Sequence, residues 1–220
     1  MTPVAQDGLP PGGEGDRASP RRIGFFLIHN FSLMSFAAAM ETLRVADRVA
    51  GRNNYQRVIV TKDGAPAISS SGVAVSPDFA MSGAKALDRL IVVGGVDTEH
   101  YHDAEVFASL RHFARSGCVV GAVSSGSYLL ARAGLLDGYR CTVHWENIEG
   151  FAEQFPTLDI TDALFVIDRD RFTCSGGAAS LDLMLAFVEA DHGRELAVKV
   201  ADQIIHKDSR DDNNHQRMSL

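Results

Sequence analysis

The stretch CVVGAVSSGSYLLARAGLLDG, residues 118–138, decides the fold. Residues 118–123 are apolar without alternation, which is how a strand buried on both faces reads. Residues 125–133 then carry helical character up to Gly134, a residue suited to closing a helix. Only Ser124-Ser125-Gly126 separates the two, so the strand must turn tightly into the helix. That geometry puts Ser124 at the carboxyl end of the strand, above a helix N-terminus whose unpaired N–H groups favour an anion. A nucleophile in such an elbow is exposed and activated.

The same alternation extends outward on both sides. Residues 22–29 (RIGFFLIH), 55–62 (YQRVIVTK) and 89–93 (RLIVV) read as further buried strands, and 72–75 as a short strand stub. Helices are expected over 32–50, with Phe36, Met40, Leu43 and Ala46 on one face and Gly51 as the stop, and over 103–116, with Val106, Leu110 and Phe113 inward. Beyond the elbow, helices are expected over 146–155, 178–192 and 194–205, and a strand pair over 163–167 and 171–174. Apolar strands alternating with amphipathic helices predict an α/β domain, its mostly parallel sheet covered on both faces. In such sheets the functional crevice lies beyond the carboxyl ends of the strands. Three loops are therefore singled out: 29–31, 93–96 and 123–126.

Composition narrows the function. The 220 residues suit one α/β domain, and no run of about 18 apolar residues is present to span a membrane. Residues 1–21 are rich in Pro, Gly and charge and read as a disordered leader without a signal sequence. The domain proper is expected over 22–206. Residues 207–220 have linker composition. Cys118, Cys141 and Cys174 are odd in number and widely spaced, consistent with buried free thiols in a reducing cytoplasm. A net charge of −7 with no basic stripe makes this stretch a poor DNA binder by itself.

Several motifs in order carry a more specific resemblance: FSLMSF at 31–36, GSYLLARAGLLDG at 126–138, VHWEN at 143–147 and CSGG at 174–177 ahead of the helix with Leu181 and Asp182. The chain resembles the PfpI-type, class I glutamine-amidotransferase-like superfamily. More narrowly it resembles the sensor domains of GlxA-type regulators of the AraC family. The resemblance implies a flavodoxin-like three-layer sandwich. Enzymes of the superfamily carry a cysteine at the Ser124 position, often a histidine next, and a supporting glutamate that aligns with Ser35. Here the three are Ser124, Ser125 and Ser35. A helix N-terminus activates a thiol, but a serine hydroxyl needs an adjacent base, and none is adjacent in sequence. The expectation is a non-catalytic sensor without cofactor or metal. The alternative is a stand-alone PfpI-like hydrolase using Ser124, with His144 as its base.

Phe31, Ser35, Gly94, Gly95, Ser124, Ser125, His144, Trp145 and Glu146 are the expected ligand-binding residues. Paired glycines after a strand let backbone approach a ligand and present N–H groups. Phe31, Phe36, Tyr128 and Trp145, if they converge, form a cage for a methylated amine, with Glu146 or Asp97 meeting its charge. Related regulators respond to nitrogen compounds such as arginine, glycine betaine or carnitine. The resemblance further implies a homodimer and a helix-turn-helix domain, beyond residue 220, that makes the DNA contacts. The EHYHD run at 99–103 reads as a capped helix start rather than a metal site.

Overall fold

The computed structural model describes residues 19–206, 210 and 214–216. Seven strands form the main sheet: β1 (Arg21–Leu27), β2 (Tyr55–Thr61), β3 (Phe79–Ala80), β4 (Arg89–Val93), β5 (Val119–Val123), β6 (Phe165–Asp168) and β7 (Arg171–Cys174). Their order across the sheet is β6-β7-β5-β4-β1-β2-β3. All neighbours are parallel except β6 and β7, an antiparallel hairpin. The central strands are apolar throughout because both faces are covered: β4 is buried at all five positions.

The helices are α1 (Leu33–Ala50), α2 (Ala104–Arg115), α3 (Ser127–Arg132), α4 (Ile148–Gln154), α5 (Ala179–His192) and α6 (Arg194–Gln203). α1 connects β1 to β2, outward in one direction; α2 connects β4 to β5, outward in the other. Right-handed crossovers then place α1 and α2 on opposite faces. α1 packs with α5 and α6, and α2 with α3. The result is the three-layer sandwich expected. The strand order reverses between β1 and β4, so the carboxyl ends of these strands mark the switch point where ligands bind in doubly wound sheets.

Caps fall where the sequence places them. Ser32 accepts the N–H of Ser35 at the start of α1, and Gly51, at φ 66°, closes it in left-handed backbone. Asp103 accepts from the N–H groups of Glu105 and Val106 at the start of α2 and pairs with Lys62. It is therefore a helix cap, as the EHYHD run suggested. Two boundaries shift. Arg21, expected in the leader, already belongs to β1; residues 1–18 of that leader lie outside the described residues. The 146–155 helix begins as a 3-10 turn at Trp145–Asn147 before α4. The short pairs Ala67–Ile68 with Ala74–Val75 and Arg140–Cys141 with Asp159–Ile160 were not foreseen in full. Among the described residues no helix is long and apolar enough to cross a membrane.

His192 closes α5 with its ring edge-on to Tyr55, centroids 5.4 Å apart. Its Nε2 is buried and finds no partner among the described residues. Burial, outweighing the nearby Asp191 charge, holds the His192 pKa below its ordinary value. The unfolded chain therefore binds this proton more readily, and the stability His192 contributes is lost as pH falls from the ordinary histidine range through the lowered folded value. His192→Phe should narrow the difference in urea midpoint between about pH 5.5 and about pH 7.5. An unchanged difference would mean that His192 does not titrate with folding.

Candidate functional site

The elbow forms as the sequence implies. β5 ends at Val123, Ser124–Gly126 make one 3-10 turn, and α3 follows. Ser124 sits at φ 61°. A serine in left-handed backbone is strained by about 1–3 kcal/mol, and it persists because its surroundings fix it. Two close approaches do so. A Cβ on Gly94 would lie 2.1 Å from the Gly126 nitrogen, and a Cβ on Gly176 would lie 2.8 Å from the Ser124 Cα. Gly176 itself has φ 94°. Only glycine at both positions lets β4 and β7 close on the elbow backbone.

Ser35 stands behind the elbow on α1. It is fully buried, its hydroxyl donates to Ser32 Oγ at 2.9 Å, and it accepts the Gly177 N–H at 2.7 Å. It thus reaches the Ser124–Gly176 contact, the place its alignment suggests, as a hydrogen-bonding strut rather than a carboxylate. Ser125 is buried too, its hydroxyl donating to the Gly95 carbonyl at 2.6 Å.

The glycine pair behaves differently from the expectation. The Gly94 N–H donates to the Val123 carbonyl at 3.1 Å, and the Gly95 N–H to Thr98 Oγ1 at 2.9 Å. Neither is presented to a ligand in this structure. The glycines are needed because the backbone is crowded: a Cβ on Gly95 would lie 2.0 Å from the Asn30 carbonyl oxygen. Phe31 forms bridges to Gly95 and Ser69, tying the loop after β1 to the loop after β4 across the switch point.

The aromatic cage does not assemble. Phe31 and Phe36 pack edge-on at 5.7 Å and are buried, and Tyr128 packs edge-on to Phe151 at 4.8 Å, also buried. Each of these rings is taken up by core packing, with Phe31 0%, Phe36 6% and Tyr128 2% exposed. Phe31 is thereby corrected from a ligand contact to a core residue. Trp145 is the exception, 39% exposed. It lies on the loop following Val143, with the His144 ring tilted against it at 5.7 Å. His144 Nδ1 accepts the Glu146 N–H at 3.4 Å and lies 3.7 Å from the Glu146 carboxylate. Among the described residues no side chain hydrogen-bonds the Ser124 hydroxyl, and His144 is engaged with Glu146 instead. Of the expected ligand-binding residues, Gly95, Ser124, His144, Trp145 and Glu146 keep solvent exposure, while Phe31, Ser35, Gly94 and Ser125 are buried.

Sequence reasoning missed the residues that brace these loops. Arg132 reaches from α3 to the carbonyls of Thr98, Glu99 and Tyr101 and stacks on Tyr128 at 5.4 Å. Ser127 Oγ donates to the Thr142 carbonyl at 2.7 Å, joining α3 to the strand that precedes His144. Both residues lie inside the motif at 126–138. The three cysteines are free and buried, and burial pushes each thiol up to about 12, which leaves them inert rather than nucleophilic.

The elbow, its flanking glycines and the parallel sheet agree with what comparison with known proteins finds: the description of the DJ-1/PfpI family fits residues 21–190. This chain belongs to the DJ-1/PfpI family. Within it, the chain is 42% identical over 210 residues to the HTH-type transcriptional regulator GbdR of Pseudomonas aeruginosa, covering 96% of this chain and 57% of GbdR. It is 39% identical over 192 residues to the HTH-type transcriptional regulator GlxA of Rhizobium meliloti, covering 87% of this chain and 59% of GlxA. The chain thus spans less than two thirds of these relatives. Among solved structures, an AraC family transcriptional regulator from Pseudomonas putida superposes with a TM-score of 0.77 at 31% identity, covering 84% of this chain and 100% of that one. The DJ-1/PfpI family also holds enzymes: the isonitrile hydratase of Pseudomonas putida is 28% identical over 187 residues, 83% of this chain and 77% of the hydratase.

Proposed function

We propose that this chain is the cytoplasmic ligand-sensing domain of an AraC-family transcriptional regulator. It binds a small nitrogen-containing metabolite, an amino acid or methylated amine, at the carboxyl edge of its sheet. Residues 207–220 begin the linker to a C-terminal helix-turn-helix domain that contacts DNA, and the regulator works as a homodimer. One observation carries the non-catalytic reading. The strained elbow is kept, yet it holds Ser124, whose hydroxyl finds among the described residues no base of the kind a serine nucleophile requires. The likeness to HTH-type regulators over nearly the whole chain supports the regulatory role.

The partial exposure of Trp145, with the neighbouring Glu146 also exposed, suits a cationic or zwitterionic ligand. The ring attracts the cation through its quadrupole and the carboxylate neutralises it. A thermal-shift screen against arginine, glycine betaine, carnitine, sarcosine and choline tests the reading. At a hundredfold excess over Kd, binding stabilises the folded state by about 2.7 kcal/mol, a rise in Tm of about 5–10 °C for a domain of this size. Trp145→Ala should weaken that ligand more than about tenfold. Unchanged affinity in the variant would remove Trp145 from the site. A flat screen together with hydrolysis abolished by Ser124→Ala would replace the sensor by the enzyme.

A further inference from the structure

The residues that follow α6 have the composition of a linker, yet two groups of them are fastened to the domain. Ile205, at φ 60°, turns the chain out of α6. His206 Nε2 then lies 2.7 Å from Asp182 Oδ1. The Arg210 N–H donates to the same oxygen at 2.9 Å, and the Arg210 guanidinium grips Asp182 Oδ2 through Nη2 at 2.8 Å and Nε at 3.1 Å. The Asp182 side chain is 0% exposed. A buried carboxylate without its partners is costly, and these partners come from the segment after α6.

The second anchor lies at residues 214–216. The Asn214 carbonyl accepts the Leu164 N–H at 2.9 Å, His215 bridges to Ala163, and the Gln216 N–H donates to the Asp162 carbonyl at 3.1 Å. These contacts add the segment alongside residues 162–164 in antiparallel fashion. The Gln216 side-chain amide goes deeper, donating to Thr142 Oγ1 at 3.0 Å and to the Val143 carbonyl at 2.9 Å.

Both anchors are one step from the elbow. Asp182 lies in the first turn of α5, the helix that opens just after Gly176, which touches Ser124. Thr142 receives Ser127, the first residue of α3, on its carbonyl, and Val143 immediately precedes His144 and Trp145. We infer that the described residues after α6, His206, Arg210 and residues 214–216, form a clasp, locked at Asp182 and at Thr142–Val143. Occupancy of the ligand site proposed above at Ser124 and Trp145 sets how firmly it holds. The inference rests on the sensor reading above and gives it a physical output. Whatever follows the clasp is repositioned when the anchors slacken or tighten. Coupling of this kind is reciprocal, and where one two-state element carries it, loosening the clasp shifts the exposure of the Trp145 loop without ligand as well.

That reciprocity supplies a test independent of the effector. The chain has one tryptophan, Trp145, so its fluorescence reports the crevice loop alone. Gln216→Ala and Asp182→Asn are made in the 220-residue chain, with Lys199→Ala, which breaks only the exposed pair with Glu195, as control. Hydrogen exchange reads the amides of Arg210 and Gln216; acrylamide quenching reads Trp145. The clasp predicts exchange at least about tenfold faster in both anchor variants, together with about a twofold change in the quenching constant, and no change in the control. Faster exchange with quenching unchanged would show a tether uncoupled from the crevice and overturn the inference, while leaving the sensor reading to the ligand screen. Unchanged exchange would show that these bonds do not hold the segment, and would overturn it as well. Should Asp182→Asn fail to fold, Gln216→Ala decides the matter alone, since it removes only the three side-chain hydrogen bonds that this amide donates. A quenching change in the control equal to that in the variants would mark a global effect and equally defeat the proposal.

Discussion

Asp191→Ala should lower the unfolding free energy by about 3–5 kcal/mol, a large share of the 5–15 kcal/mol that ordinarily holds a domain together. Asp191 lies in the last turn of α5, against the first residues of three strands, with its side chain 1% exposed. Arg89, the first residue of β4, binds it with both nitrogens, at 2.5 and 2.7 Å. Arg21, the first residue of β1, lies 3.2 Å away, and the Tyr55 hydroxyl, at the start of β2, donates to it at 3.1 Å. Phe187 lies 4.5 Å beneath the Arg89 guanidinium. Burial and the neighbouring Asp191 charge push the Tyr55 pKa far above its ordinary value, which keeps this phenol a donor. Deleting the carboxylate leaves two arginines close together without the group that pairs them and strands the Tyr55 hydroxyl. The cost is that of an uncompensated buried charge, which is much larger than the net worth of the pair. The double variant Arg89→Met, Asp191→Leu should accordingly recover most of the loss, because a buried pair replaced by apolar groups is often neutral. Urea unfolding with a common slope measures both. A loss under about 1 kcal/mol in the single variant would show that water reaches the cluster and solvates it.

That cluster was not legible in the sequence, and the reason is general. Arg89, Arg21 and Asp191 read as charges at the ends of strands and a helix, where solvated side chains are ordinary. Nothing local says that α5 brings its last turn under β4. The clasp escaped for the same reason: residues 207–220 have linker composition, and Asp182 and Thr142, the partners of Arg210 and Gln216, lie far away along the chain. Where order is local, the reading was sufficient. β4 and β5 are apolar runs because both faces of a parallel sheet are covered, and the elbow needs only a strand, three small residues and a helix. Two-residue strands such as Arg140–Cys141 carry no periodicity to read. The aromatics mark the boundary between the two cases. Phe31, Phe36, Tyr128 and Trp145 sit near the same loops, and only the packing distinguishes the exposed ring from the three that belong to the core.

Gly94→Ala should cost at least about 3 kcal/mol, the upper end of what one added methyl does in a packed interior. Gly94 is buried, and its φ is not in the left-handed region, so the effect is steric rather than conformational. The added Cβ would stand 2.1 Å from the Gly126 nitrogen, 2.6 Å from the Ser125 carbonyl carbon and 2.7 Å from the Gly126 Cα. All three are backbone atoms of the elbow, and Gly126 is itself pressed against β4, where its own Cβ would meet the Val92 carbonyl oxygen at 2.5 Å. No rotamer change relieves such a contact. Either β4 withdraws from β5, breaking the Gly94 N–H bond to the Val123 carbonyl, or the elbow rises and Ser124 leaves its strained conformation. Gly83→Ala is the fitting control, since a Cβ there meets nothing within 4 Å, and it should stay within about 0.5 kcal/mol of the parent. Equal stability of the two variants in urea unfolding would show that the elbow yields easily. The strain at Ser124 would then be incidental to the fold. A large loss confined to Gly94→Ala shows that β4 holds the elbow rigidly in place. The glycine after β4 then serves the crevice indirectly, by letting two backbones touch so that Ser124 is held at the edge of the sheet.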